Sequence, residues 1–253
     1  MNEILIGTAG WSIPASVADH FPGEGSHLER YARVMTAAEI NSSFHRPHRR
    51  STYERWSSSV PPNFAFSVKI PKTISHQKRC IDCADELRQF LSESAGLGSK
   101  RRVLLLQLPP SFQFEKERME RFFALCRRTE VPSIVCEPRH ASWFTAEVDA
   151  LLQAWGVARA GADPARAPGA EKPGGWTGIS YFRLHGTPRV YYSSYSAESL
   201  DRIASMISMA PSQTWCIFDN TASGAAAADA LSLCSRFDRC MKEPASSRCH
   251  LQN

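Results

Sequence analysis

Short apolar runs of strand length alternate with helical patterns along almost the whole chain, and this alternation limits the possible folds more than any other feature. Strand-like runs fall at 4–9, 37–43, 64–70, 103–108, 133–138, 157–162, 179–185 and 214–219. Helical patterns occupy 28–35, 84–95, 115–127, 146–155, 196–208 and 224–237, and Ser51-Thr52-Tyr53-Glu54 reads as a capping box opening one more short helix. Alternation of this kind predicts a parallel sheet covered by helices. Eight repeats in 253 residues match a single closed (β/α)8 barrel of the TIM type. The stretch 164–177, rich in Pro, Gly and Ala, reads as an irregular crossover between strands six and seven. An open doubly wound sheet is the alternative, disfavoured because no Gly-rich dinucleotide fingerprint follows any strand. No linker divides the chain, so 1–239 reads as one barrel domain and 240–253 as a polar, disordered tail.

The strands also carry charge in a regular place. Side chains alternate between the two faces of a strand. In Tyr181-Phe182-Arg183-Leu184-His185, Arg183 and His185 therefore point one way, and Phe182 and Leu184 the other. Glu39 with Asn41, Ser67 with Lys69, and Glu137 with Arg139 repeat the pattern. Charges late in apolar strands are expensive to bury unless paired, so several of them on separate strands predict one convergent polar site.

In a barrel that site lies at the C-terminal strand ends. Read in order, these ends and the loops just beyond supply Trp11, Glu39, Asn41, Lys69, His76, Gln107, Glu137, Arg139, Trp143, Arg183, His185, Tyr195 and Asn220. Glu39 and Glu137 are the general acid/base candidates, with buried ion pairing to Lys69 and Arg183 as the structural alternative. His185 assists as a proton shuttle or stands as a satisfied histidine. Lys69 forms a Schiff base only if desolvated. The expectation is an electrostatic anchor, kept protonated by Glu39. Asn220-Thr221-Ala222-Ser223-Gly224, opening the last helix, is an anion-binding candidate, with plain helix capping as the alternative. Arg46, Arg79 and Arg139 add bidentate donors.

Glu39, His76, Glu137, His185 and Asp219 include hard metal-ligand types, but none lie at tight metal spacing, so no metal is assigned. No cofactor motif is present, which excludes nicotinamide-dependent hydride transfer. A net charge of +5 favours small anionic or phosphorylated ligands and leaves nucleic acid as an alternative partner. No apolar run spans a bilayer and no leader precedes the first strand, so the cytoplasm is the expected location. The eight Cys are then reduced, and Cys80-x-x-Cys83 reads as structural. Oligomeric state is not legible.

The strand-end motifs together resemble the YecE-like family, domain of unknown function 72. They are Gly7-Thr8-Ala9-Gly10-Trp11, Glu39-Ile40-Asn41-Ser42-Ser43-Phe44, Lys69-Ile70-Pro71 with Ile74-Ser75-His76, and Gln107-Leu108-Pro109-Pro110-Ser111-Phe112. The later ones are Glu137-Pro138-Arg139-His140-Ala141-Ser142-Trp143, Arg183-Leu184-His185-Gly186 and Phe218-Asp219-Asn220. The resemblance covers about 4–237 and implies the barrel; it implies no reaction. The chain departs from the family pattern at Ile13, His45, Asp219 and Asp229.

The expected function is an enzyme, of hydrolase or lyase/isomerase type, in which carboxylates handle protons on an anionic substrate at the barrel mouth. The alternatives are non-catalytic binding of nucleic acid or a phosphorylated metabolite, and a divalent-metal-dependent barrel.

Overall fold

The computed structural model describes residues 2–129 and 131–242. Its strands are β1 (Ile4–Ala9), β2 (Ala37–Ile40), β3 (Ala65–Lys69), β4 (Arg101–Gln107), β5 (Ser133–Glu137), β6 (Val157–Arg159), β7 (Gly161–Asp163), β8 (Gly174–Gly175), β9 (Ile179–Leu184) and β10 (Gln213–Phe218). The helices are α1 (His27–Ala32), α2 (Arg50–Ser58), α3 (Ala84–Ser94), α4 (Lys116–Arg128), α5 (Ala146–Trp155), α6 (Ala197–Ser208) and α7 (Ala225–Lys242).

All ten strands belong to one sheet, in the order β7-β9-β10-β1-β2-β3-β4-β5-β6-β8. The pairings are parallel except β6 with β8. The expected sixth strand is two short ones: β6 pairs with β5, β7 pairs with β9, and only Ala160 separates them. The fold is thus α/β with a ten-stranded sheet that nearly closes on itself as a barrel.

Alternation builds two cores from each strand. Leu5, Val103, Leu105, Val135, Ile179, Trp215 and Ile217 point inward and form a small inner core. Their sequence neighbours Ile6, Leu104, Leu106, Ile134, Cys216 and Phe218 point outward and pack under the helices. A strand buried on both faces explains the continuous apolar runs in the sequence. α4 shows the matching helical side, with Met119, Phe122, Phe123 and Cys126 all buried.

Local signals shift some boundaries. The capping box lies at Ser26 and Glu29 on α1, not at Ser51. α2 starts at Arg50, and Glu54 accepts a hydrogen bond from Arg50 Nε at 3.0 Å instead of capping the helix. β2 stops at Ile40, because the Ser43 hydroxyl donates to the carbonyls of both Ile40 and Lys69 and turns the chain there. α7 runs three residues into the expected tail; the remainder of that tail, with Cys249 and His250, lies outside the described residues.

The stretch 164–178 holds no helix, only β8. Carbonyls in such a segment need donors from elsewhere. Arg159, almost fully buried, clasps both oxygens of Asp149 (2.8 and 2.9 Å) and donates to the carbonyls of Lys172 (3.2 Å) and Gly169 (3.4 Å). At Gly161 a Cβ would meet the Glu171 carbonyl at 2.8 Å, so only glycine lets this segment lie against the strand. Arg159→Ala is expected to cost about 2–4 kcal/mol by orphaning a carboxylate and two carbonyls. It should also open 164–178 to limited proteolysis. Unchanged denaturation midpoint and cleavage pattern would show that the segment holds itself.

Candidate functional site

The inner faces change character along the strands. At mid-height Tyr181 stacks on Trp215, with ring centroids 5.9 Å apart. Its hydroxyl sits between Ser67 Oγ (3.0 Å) and Glu39 Oε2 (3.2 Å). This is the boundary between the dry core and a charged layer at the C-terminal strand ends.

Arg183 is the centre of that layer and is wholly buried. Its Nε and Nη2 donate to the two oxygens of Glu39 at 3.0 and 2.7 Å. Nη1 donates to Glu137 Oε2 at 3.0 Å and Gln107 Oε1 at 3.2 Å, and Nη2 lies 2.9 Å from Asp219 Oδ2. The fork of a guanidinium suits this task, since it presents five donors in one plane. His185 lies between the two carboxylates: Nε2 is 2.9 Å from Glu137 Oε1, and Nδ1 is 3.1 Å from Asp219 Oδ2, the oxygen that Arg183 also reaches. Arg139 donates to Glu137 Oε1 at 3.2 Å from the more open side.

The electrostatics follow from these contacts. Burial raises the Glu137 pKa, but Arg183, His185 and Arg139 outweigh it and hold the carboxyl well below the usual range. Asp219 is also lowered, burial being overcome by Arg183, His185 and Lys69. A carboxylate held in this way is a poor proton donor near neutral pH. Glu39 spends both oxygens on Arg183.

Lys69 is the exception. It is 5% exposed, yet among the described residues its Nζ has no carboxylate within ion-pair distance and no hydrogen bond. Its Nζ lies over the face of Phe44, 4.3 Å from the ring centroid. Burial and the charge of Arg183 push its pKa down to about 8, against the pull of Glu39, Glu137 and Asp219. Glu39 favours the protonated amine, as expected, but both its oxygens are bonded to Arg183 and its pull only partly offsets the fall. Asn41 follows Ile40 as Lys69 follows Val68, its register partner. Its Oδ1 is buried without a partner. His76 lies on a single π-turn, Thr73–Gln77, with its ring against Phe44 (4.9 Å). Burial and the positive charges of Lys69, Arg139 and Arg79 lower its pKa.

The structure thus brings together Glu39, Lys69, Gln107, Glu137, Arg139, Arg183 and His185, with Asn41 and His76 at the rim. Four other candidates do different work. Trp11 packs edge-on against Trp56 (5.1 Å) and Phe66 (6.2 Å), in the outer layer. Trp143 is fully buried and donates from Nε1 to the Phe112 carbonyl at 2.9 Å, so it is core rather than a ligand contact. The Tyr195 hydroxyl donates to Asp163 Oδ2 (2.8 Å) and accepts from the Gly186 N–H (2.8 Å), anchoring the loop after β9. Asn220 Nδ2 donates to Asp229 Oδ2 on α7 (2.7 Å) and to the Ser193 carbonyl (2.9 Å), joining the loop after β9 to the last helix.

The anion nest expected before α7 is partly consumed, because the Ala222 N–H donates to the Tyr191 carbonyl and the Ser223 hydroxyl to the Tyr192 carbonyl. Arg79 is occupied as well: it donates to the Ser111 carbonyl at 3.0 Å and stacks on Phe112. Among the described residues no group of His, Cys, Asp and Glu side chains is placed to hold a metal ion. The reason is visible at Arg183, whose own charge occupies the space between the carboxylates. Cys80 and Cys83 are separate buried thiols, and burial raises both their pKa values. No helix among the described residues is long and apolar enough to cross a membrane.

Sequence reasoning missed Tyr181 and Tyr191. Tyr181 carried a signal, since it shares a face with Arg183 two residues on. Tyr191 carried none. It sits in a loop at φ +70°, with its ring edge-on to His185 at 5.7 Å. Its N–H donates to the His185 carbonyl at 2.6 Å.

Comparison with known proteins agrees with the strand-end motifs. The chain is 32% identical over 109 residues to UPF0759 protein YecE of Escherichia coli K12, covering 43% of this chain and 39% of that protein. It is 26% identical over 150 residues to UPF0759 protein YunF of Bacillus subtilis 168, covering 56% and 52%. The matches thus span about half or less of these relatives. Two solved DUF72 structures share the fold. EF0366 of Enterococcus faecalis V583 has TM-score 0.78 and 20% identity, over 93% of this chain and 95% of that one. TM1631 of Thermotoga maritima MSB8 has TM-score 0.76 and 23% identity, over 93% and 99%. The profile of the family described as protein of unknown function DUF72 matches residues 5–250, and the chain belongs to that family.

Proposed function

We propose that this protein is an enzyme of the hydrolase or lyase/isomerase type, acting on a small anionic substrate at the C-terminal mouth of a (β/α)8 barrel. The observation that carries the reading is Lys69. A cation buried beside other charges with no ion pair is expensive, and a bound anion relieves that cost. Arg139, with 11% of its side chain exposed, supplies a second cationic contact at the same mouth, and His76 a third group.

In this reading the proton-handling role passes from the carboxylates to the amine. Glu39, Glu137 and Asp219 are the frame that fixes Arg183 and His185. Lys69 and His185 move protons, because an amine whose pKa lies near 8 is present in both forms at working pH. Arg183 lends positive charge where negative charge develops on a substrate. A single basic mouth with Arg79 withdrawn supports a small ligand over a nucleic-acid strand. A reducing, cytoplasmic setting accords with the unbonded thiols of Cys80 and Cys83.

Calorimetric titration with orthophosphate, oxalate and citrate tests the reading. One of these is expected to bind, and Arg139→Gln is expected to weaken it about tenfold, the value of one charge-assisted hydrogen bond. No binding by any anion, or binding indifferent to Arg139→Gln, would remove the proposed site.

A further inference from the structure

We propose that Lys69 is the point at which a carbonyl-bearing anionic substrate is held covalently, as an imine between Nζ and the aldehyde or ketone carbon. The inference rests on the anionic reading above and narrows its substrate class.

Three observations meet at this position. The residue is only 5% exposed, and among the described residues its amine is in no ion pair and donates to no carbonyl, so the nitrogen is free for an incoming ligand. An anchoring lysine is held by acceptors; this one is held by an aromatic face and by its place on β3. Three carboxylates, Glu39, Glu137 and Asp219, lie near enough to favour a positive charge on it. An iminium is such a charge, so the same frame stabilises the linked state. Finally, Asn41 Oδ1 is a buried acceptor with no donor, at the adjoining strand end. A hydroxyl formed at the substrate carbon provides the missing donor.

The step balances without an oxidant or reductant. The Nζ lone pair adds to the carbonyl carbon, a new N–C bond forms, and the oxygen takes a proton to become a hydroxyl. The nitrogen lone pair then expels that hydroxyl as water and C=N forms. One amine hydrogen and one proton taken up from solvent leave in the water, and the other amine hydrogen stays on the iminium nitrogen, which loses it to give the neutral imine. The lowered pKa leaves on the order of a hundredfold more free amine at neutral pH than an ordinary lysine has.

The full chain incubated with glyoxylate, or with acetaldehyde as a neutral probe, then reduced with cyanoborohydride, provides the test by peptide mapping. Lys69 is expected to carry the reduced adduct at pH 7 at least about tenfold faster than exposed Lys78. Its labelling should rise through a midpoint near 8. Glyoxylate should outpace acetaldehyde at this residue, and orthophosphate should protect it. Adducts on surface lysines with Lys69 unmodified would overturn the proposal, even if anions still bind through Arg139. Equal labelling by both probes without phosphate protection would keep the imine and remove the anionic substrate. Mapping is done on the natural chain, so no outcome depends on whether a variant folds.

Discussion

Arg183→Met is expected to lower the unfolding free energy by about 3–5 kcal/mol, the loss found when one partner of a buried ion pair is removed. That is a large share of the 5–15 kcal/mol typical of a domain. Glu39, Glu137 and Asp219 all rest on this guanidinium within 3.0 Å, and none is exposed enough for water to replace it. Arg183→Lys should fail in the same way, since a single ammonium cannot serve three carboxylates and a bidentate pair. The loss should depend on pH with a definite sign. In the natural protein Glu137 and Asp219 have folded pKa values below their ordinary 4.5 and 3.8. Their contribution is complete above those ordinary values and fades as pH falls through the folded ones. In Arg183→Met the same carboxyls stay buried but lose their largest countercharge, so their folded values rise. The variant therefore recovers stability as pH falls toward 5. Urea denaturation across pH 4–8 reads both effects; a variant within 1 kcal/mol of the parent at pH 7 would show that Arg183 is not the keystone of the layer.

Lys69→Met has the opposite expected effect on stability. Lys69 titrates near 8 in the folded chain and near 10.5 when unfolded. Below pH 8 both states hold the proton and the folded state bears the full cost of a buried ammonium. Between 8 and 10.5 the unfolded state binds more protons, so this group's contribution improves as pH rises. The size is on the order of 3 kcal/mol. Methionine fills similar volume without charge, so Lys69→Met is expected to be at least as stable as the parent at pH 7. The advantage should shrink across pH 8–10. Buried thiols and tyrosines also titrate in that window, so the difference between the two proteins is the quantity to follow. Anion binding and imine trapping should both vanish in the same variant. A Lys69→Met protein destabilised by several kcal/mol at pH 7 would mean that the ammonium is well paired.

Much of this was legible before any coordinates. Strand alternation put Arg183 and His185 on one side and Phe182 and Leu184 on the other, and the inner and outer cores follow that division. Convergence of Glu39, Lys69, Glu137 and His185 was also readable, because parallel strands in one sheet bring their ends together. Which charge pairs with which was not. Glu39 lies on the strand beside Lys69, but Arg183 reaches it from across the mouth with a better-shaped donor set. Sequence spacing contains no information on that competition. Trp143 and Trp11 were misplaced for a related reason: a loop residue near a strand end can turn toward the core as readily as toward the mouth. The divided sixth strand was hidden because 157–162 reads as one strand-length run, and only pairing distinguishes its two halves.

Proton-exchange chemistry at one atom tests the whole account most directly. Lysine labelled with carbon-13 at Cε, followed by NMR from pH 6 to 11 and assigned by the signal lost in Lys69→Met, reports the ionisation of this amine alone. A midpoint near 8 is the predicted result. A midpoint at or above 10.5, the value of a lysine in water, would contradict it.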